Sequence, residues 1–129
     1  MNKKGFTLIE LLAVIVILAI IALIVTPIVS NIIASARNSA NARSVEGHID
    51  NIEYAIISAA FNEGKDIAYM DGTINDGENL TISLPSNDTI KCGKYVIANG
   101  IVTEATGCKA TDWAKTYNYT ATGGAVATN

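Results

Sequence analysis

The stretch Lys3-Lys4-Gly5-Phe6-Thr7-Leu8-Ile9-Glu10 leads directly into fifteen uninterrupted apolar residues, Leu11 to Val25. It sets one carboxylate at the mouth of a membrane-length segment, where a lone charge is costly unless something pairs with it. No residue between Glu10 and Arg37 is charged. As a helix, the span from Leu11 to Ala36 is about 39 Å long at 1.5 Å per residue, enough to cross a hydrocarbon core of about 30 Å. A secretory signal is cut after its apolar core, beside small residues. Here the only leader-like junction, Gly5-Phe6, lies before the core, so processing there leaves the apolar segment in the mature chain. Two lysines ahead of the segment and acidic residues far behind it fit an N-terminus on the cytoplasmic side.

Beyond Ser30 the apolar pattern narrows to a stripe. Val45, Ile49, Ile52, Ile56 and Ala59/Ala60 recur at helical spacing, with Arg43, Glu46, Asp50 and Glu53 on the opposite face. The pattern predicts one helix from about Phe6 to about Asn62, apolar all round in its first half and amphipathic in its second, with Gly64 as its C-terminal cap. Pro27 removes a backbone donor inside this helix and crowds the carbonyl of Leu23, which predicts a kink or a local break there.

From Lys65 onward the period becomes two. Leu80, Ile82 and Leu84 alternate with Thr81 and Ser83 and read as a half-buried strand ended by Pro85. Ile90 to Ile97 and Ile101 to Thr106 flank Asn99-Gly100, a type I′ hairpin signal. Pairing Ala98 with Ile101 sets Cys92 opposite Gly107, one place short of Cys108, and a three-residue loop or a bulge brings the cysteines level. Both arrangements fall near disulfide range. A last short strand is read in Thr116 to Thr120, followed by a loose tail from Gly123 to Asn129. The expected architecture is α+β: a long N-terminal helix whose hydrophobic half protrudes and whose amphipathic half packs on a small antiparallel sheet. The domains are a leader, 1–5, an apolar half-helix, 6–29, an amphipathic half-helix, 30–63, and a sheet-bearing head, 64–129.

Gly5-Phe6-Thr7-Leu8-Ile9-Glu10, set between two lysines and an apolar helix, resembles a type IV prepilin and matches the class III signal of that family. The resemblance implies cleavage between Gly5 and Phe6 by a membrane-embedded aspartyl peptidase, N-methylation of Phe6 by the same enzyme, and Glu10 as the fifth residue of the mature pilin. It also implies an assembly role for Phe6, Glu10 and Pro27, with a neighbouring subunit's Glu10 neutralising the Phe6 ammonium inside an apolar core. Many such pilins carry a glycine some eight residues before the proline. This chain has Ala19, a strong helix former, so the extensive helix melting seen in the family is not expected here.

The partners implied are a prepilin peptidase, an assembly ATPase acting through a membrane platform protein, and copies of the chain itself in a helical filament. The resemblance further implies that the subunit is stored in the inner (cytoplasmic) membrane by a single span and then becomes part of an extracellular pilus serving adhesion, motility or DNA uptake. A pseudopilin of a type II secretion or competence apparatus shares this N-terminus. A single-pass receptor or ligand-binding module that keeps its leader is the reading from a different class.

Composition narrows the remaining classes. A chain of 129 residues, less its membrane-type segment, leaves about a hundred for one small head. The formal charge is −3, and loss of the two leader lysines takes it to −5. Direct nucleic-acid binding is therefore not expected. Cys92 and Cys108 read as one disulfide, since one histidine and two cysteines are too few for a zinc site, and no metal or cofactor is called for. Phosphate-loop, zinc-protease and nucleophile-elbow motifs are absent, so no enzyme is expected. His48 reads as a helix-flank residue. The acidic stretch Asp66 to Glu78 fails the EF-hand register, because Asp76 stands where glycine is required, and reads as a solvated loop. The sequons at Asn79, Asn87 and Asn118 carry no expectation, and Trp113 is expected to pack in the head.

Overall fold

A computed structural model describes residues 5–75 and 80–128. The leader lysines, the Asp76 and Glu78 end of the acidic stretch, the Asn79 sequon and Asn129 lie outside these residues. One helix, α1 (Leu8–Glu63), is followed by a 3₁₀ turn (Ile67–Met70) and five strands: β1 (Gly72–Asn75), β2 (Lys94–Ala98), β3 (Ile101–Cys108), β4 (Tyr117–Thr120) and β5 (Gly124–Ala127). The strands form one antiparallel sheet in sequence order, an α+β arrangement. The chain divides into two compact units, the first ending at Arg37 and the second beginning at Asn38.

In the first unit every described residue is exposed, including the whole apolar run of α1. That helix is long and apolar enough to cross a membrane. It runs through Pro27 without a break. Thr26 Oγ1 bonds back to Ala22 O at 2.6 Å and Ser30 Oγ to Thr26 O at 3.0 Å, hydroxyl-to-carbonyl bonds of the kind that bend helices.

The second unit owes its core to the predicted stripe. Val45, Ile49, Ile52 and Ile56 are fully buried against Tyr95, Ile97, Val102, Ala105, Cys108 and Tyr117 from the sheet. Each buried isoleucine is worth about 1.5–3 kcal/mol relative to exposure. Trp113 packs at the margin of this core, edge-on to Tyr117 with ring centroids 5.4 Å apart. Gly64, at φ 64°, ends α1, and Lys65 N donates to Ala60 O at 2.9 Å, the 6→1 bond of a Schellman cap.

Asn99 and Gly100 both have positive φ, 53° and 75°, as a type I′ turn requires. The register then shifts between Val96 and Ile97, where Thr103 is the extra residue on β3. This bulge brings Cys92 level with Cys108. Their disulfide closes the open end of the hairpin with Cα atoms 3.9 Å apart, beside the Lys91–Lys109 bridge.

Four expectations are corrected. Leu80 to Leu84 is not a strand: Leu80, Ile82 and Leu84 do pack against the core, but β1 occupies the edge of β2, so the segment has burial alternation without a ladder partner. β1 itself and the 3₁₀ turn lie in the stretch read as a solvated loop. The tail from Gly123 is not loose, because Gly124 turns at φ 70° and Ala125 to Ala127 pair with β4. Its small residues carry no strand signal. Glu46 and Glu53 are not on a free polar face: Glu46 Oε1 accepts from Ala125 N at 3.3 Å and Glu53 Oε1 from Val102 N at 3.0 Å, one heptad apart along α1.

Candidate functional site

Gly5 and Phe6 precede the helix outside any regular element and are exposed, Phe6 with 91% of its surface accessible. A Cβ built on Gly5 meets nothing within 4 Å, so nothing in the folded chain demands glycine there. Thr7 is the helix N-cap. Its Oγ1 accepts from Glu10 N at 3.3 Å, and Thr7 N donates to Glu10 Oε2 at 3.3 Å. These reciprocal bonds form a capping box, which satisfies two of the amides a helix start leaves without partners and sets a negative charge at the positive end of the helix dipole. The other carboxylate oxygen of Glu10 has no partner among the described residues.

The segment therefore presents an open Gly5-Phe6 peptide, an exposed aromatic ring, and a carboxylate held in place with one oxygen to spare. The family model of the prokaryotic N-terminal methylation motif matches residues 1–26. The chain carries the class III signal peptide of type IV pilins. No curated protein sequence and no solved structure matches the chain. The motif supports a type IV pilin-like or pseudopilin protein and implies a substrate for a prepilin peptidase, and with the apolar helix it points to membrane insertion before assembly.

Of the residues singled out in the sequence, Gly5, Phe6 and Glu10 adjoin one another at the class III signal, and Pro27 lies further along the same helix. Cys92 and Cys108 belong to the second unit. Among the described residues no group of three His, Cys, Asp or Glu side chains could hold a metal ion.

Sequence reasoning missed a buried polar cluster in the second unit. His48 faces the core beside Ile49 and is 2% exposed. Its Nδ1 lies 2.7 Å from Asp88 Oδ2 and its Nε2 lies 2.7 Å from Tyr95 Oη. The Tyr95 hydroxyl accepts from Cys92 N at 3.2 Å, and its single hydrogen has no other acceptor among the described residues, so it donates to His48 Nε2. Nδ1 is then the donor to Asp88, which also accepts from Asn51 Nδ2 at 3.0 Å and from Ile90 N. Burial pushes the Asp88 carboxyl up. The hydrogen bonds from Asn51 and His48 and the Ile90 amide outweigh it, and the group lies below its usual value. Burial, with the Asp88 charge adding to it and the Cys92 amide opposing, pushes the Tyr95 phenol up to about 12. Position 48 falls on the predicted stripe between Val45 and Ile52, which was the available signal. Its partners lie 40 and 47 residues away, and no local pattern marks them.

Proposed function

We propose that the chain is a type IV pilin, a structural subunit that catalyses no reaction. It is stored in the membrane by α1 and then drawn into a helical filament whose core is a bundle of segments from Phe6 to Ile33. A prepilin peptidase cuts between Gly5 and Phe6 and methylates Phe6. An assembly ATPase, acting through a platform protein, extracts the mature subunit.

The observation that carries this reading is Glu10. It is the one charge in the apolar start of the helix, it stands in the methylation motif, and its capping geometry leaves an oxygen for a neighbour's Phe6 ammonium. Pairing within an apolar bundle neutralises both groups and fixes the axial offset of adjacent subunits. Cells expressing the chain, sheared and imaged by electron microscopy, are expected to release thin filaments built from it. Mature protein that stays in the membrane while filaments are absent overturns the pilus reading and leaves the pseudopilin reading, in which the same N-terminus serves a short piston.

A further inference from the structure

A cavity of about 500 Å³ opens at the surface of the second unit, a volume within the usual range of small-molecule sites. Its wall includes Ser44, Gly47 and Asn51 from α1, Asn87 from the turn before Asp88, and Asp112 and Trp113 from the loop between β3 and β4. No lysine or arginine lines it, so an anion would find no counter-charge there.

The polar groups around the cavity have capacity to spare. Asn51 commits Nδ2 to Asp88 at 3.0 Å, which leaves its Oδ1 as an acceptor. Ser44 Oγ donates to Ala40 O at 3.0 Å and keeps its lone pairs. The side chains of Asn87 and Asp112 and the indole N–H of Trp113 have no hydrogen-bond or ion-pair partner among the described residues. The frame behind these groups is fixed. Asp88, its side chain 3% exposed, holds Asn51, while Asp88 N donates to Pro85 O at 2.9 Å and Ile90 N to Asp88 Oδ1 at 3.2 Å, which secures the turn that bears Asn87.

Gly47 is an independent mark of the same place. Glycine is a poor residue for the middle of a helix. A Cβ built on it meets nothing within 4 Å, so no contact within the chain calls for glycine there. A larger side chain would take up space in the cavity that Gly47 lines.

We propose that this cavity binds a neutral sugar. A pyranose asks for interleaved donors and acceptors around its hydroxyls and for an aromatic ring beside its C–H face, whose weak positive charge is drawn to the negative face of a π system. Asn87 supplies both polar roles, Ser44, Asn51 and Asp112 supply acceptors, and Trp113 supplies the ring. A carboxylate beside an aromatic ring also suits an organic ammonium. Those cations are held in aromatic cages, whereas Trp113 is the only Phe, Tyr or Trp in this wall. The site lies wholly within the second unit, so the inference goes beyond the filament reading and stands whether or not the chain polymerises.

Trp113 is the one tryptophan of the chain, so its fluorescence reports on this cavity alone. The test titrates the full-length chain, purified in a detergent without a sugar head group, with a panel of neutral hexoses, pentoses, N-acetylhexosamines and their disaccharides. N-acetylneuraminate serves as the anionic probe and tetramethylammonium as the cationic one. A saturable change in emission is expected with at least one neutral sugar at millimolar concentration or below, and none with either ion. Gly47→Leu, which favours the helix, is expected to abolish the response while the urea midpoint stays at least as high as that of the unsubstituted chain. Asn87→Ala combined with Asp112→Ala, at two exposed positions, is expected to weaken binding at least about tenfold. The proposal is overturned if no neutral sugar gives a saturable response, if only an ion does, or if the response survives unchanged in the Asn87→Ala/Asp112→Ala chain or in a folded Gly47→Leu chain.

Discussion

His48 and Asp88 stand 40 positions apart in the sequence and meet at 2.7 Å, with both side chains almost wholly buried. The pair ties α1 to the segment that precedes the disulfide, and Tyr95 and Asn51 complete it. Replacing His48 by alanine leaves the Tyr95 hydroxyl without its acceptor and Asp88 with fewer donors. The expected loss is about 3 kcal/mol, read as a lower urea midpoint for the detergent-solubilised protein.

The same cluster sets a pH dependence. Asp88 titrates below its usual 3.8 when folded, so its ionised form contributes stability above about pH 4 that is lost as pH falls through the folded value. The stability advantage of the native protein over Asp88→Asn should therefore shrink on acidification below about pH 4. Tyr95 moves the opposite way, from 10.0 to about 12. A raised phenol contributes stability in full below its unfolded value and loses it as pH rises through the folded one. Unfolding midpoints should fall between pH 10.0 and about 12, and less so in Tyr95→Phe.

Asp71 anchors the hairpin. Its carboxylate accepts from Asn99 N at 2.7 Å and Gly100 N at 3.1 Å, the two amides of the type I′ turn. Asp71→Ala is expected to cost about 1–2 kcal/mol in denaturant unfolding. Gly100→Ala should cost at least as much, because φ is 75° and the new Cβ would lie 2.7 Å from Ile67 Cγ1. An unchanged midpoint for both variants would show that the turn is held by the ladder alone.

The Cys92–Cys108 bridge closes a loop of 16 positions. In the chain-entropy model such a bridge is worth about 3 kcal/mol. Non-reducing mass spectrometry should find both thiols blocked in freshly purified protein. The Cys92→Ala/Cys108→Ala protein should unfold at correspondingly lower denaturant.

Much of this architecture could be read in advance. Val45, Ile49, Ile52 and Ile56 announced the buried face of α1, Gly64 its end, and Asn99-Gly100 the hairpin, because each depends only on neighbours a few residues away. The failures share a cause of the opposite kind. Leu80, Ile82 and Leu84 alternate correctly, but alternation reports burial and not the identity of a hydrogen-bonding partner. Gly124 to Ala127 gain strand character from β4 and from Glu46, neither of which their small side chains reveal. His48, Asp88 and Tyr95 are joined only by the folded chain.

Glu10 separates capping from assembly. Glu10→Gln keeps an acceptor for Thr7 N and a helix start, but loses the charge. Glu10→Val loses both, and costs about 3–5 kcal/mol for each neighbour's ammonium left buried and unpaired. Both variants are expected to yield a cleaved, stable monomer in the membrane and no filaments. Filaments at native numbers from either one would reduce Glu10 to an interfacial helix cap.

The central claim is that the chain is matured at the Gly5-Phe6 junction, and mass spectrometry of the N-terminus of protein purified from its native membrane tests it most directly. The account predicts a mature chain that begins at N-methylated Phe6, and an uncleaved precursor from Gly5→Val, since a peptidase must bring the backbone close where only glycine leaves room. A native chain that still begins at Met1, or a mature-sized product from Gly5→Val, would contradict it.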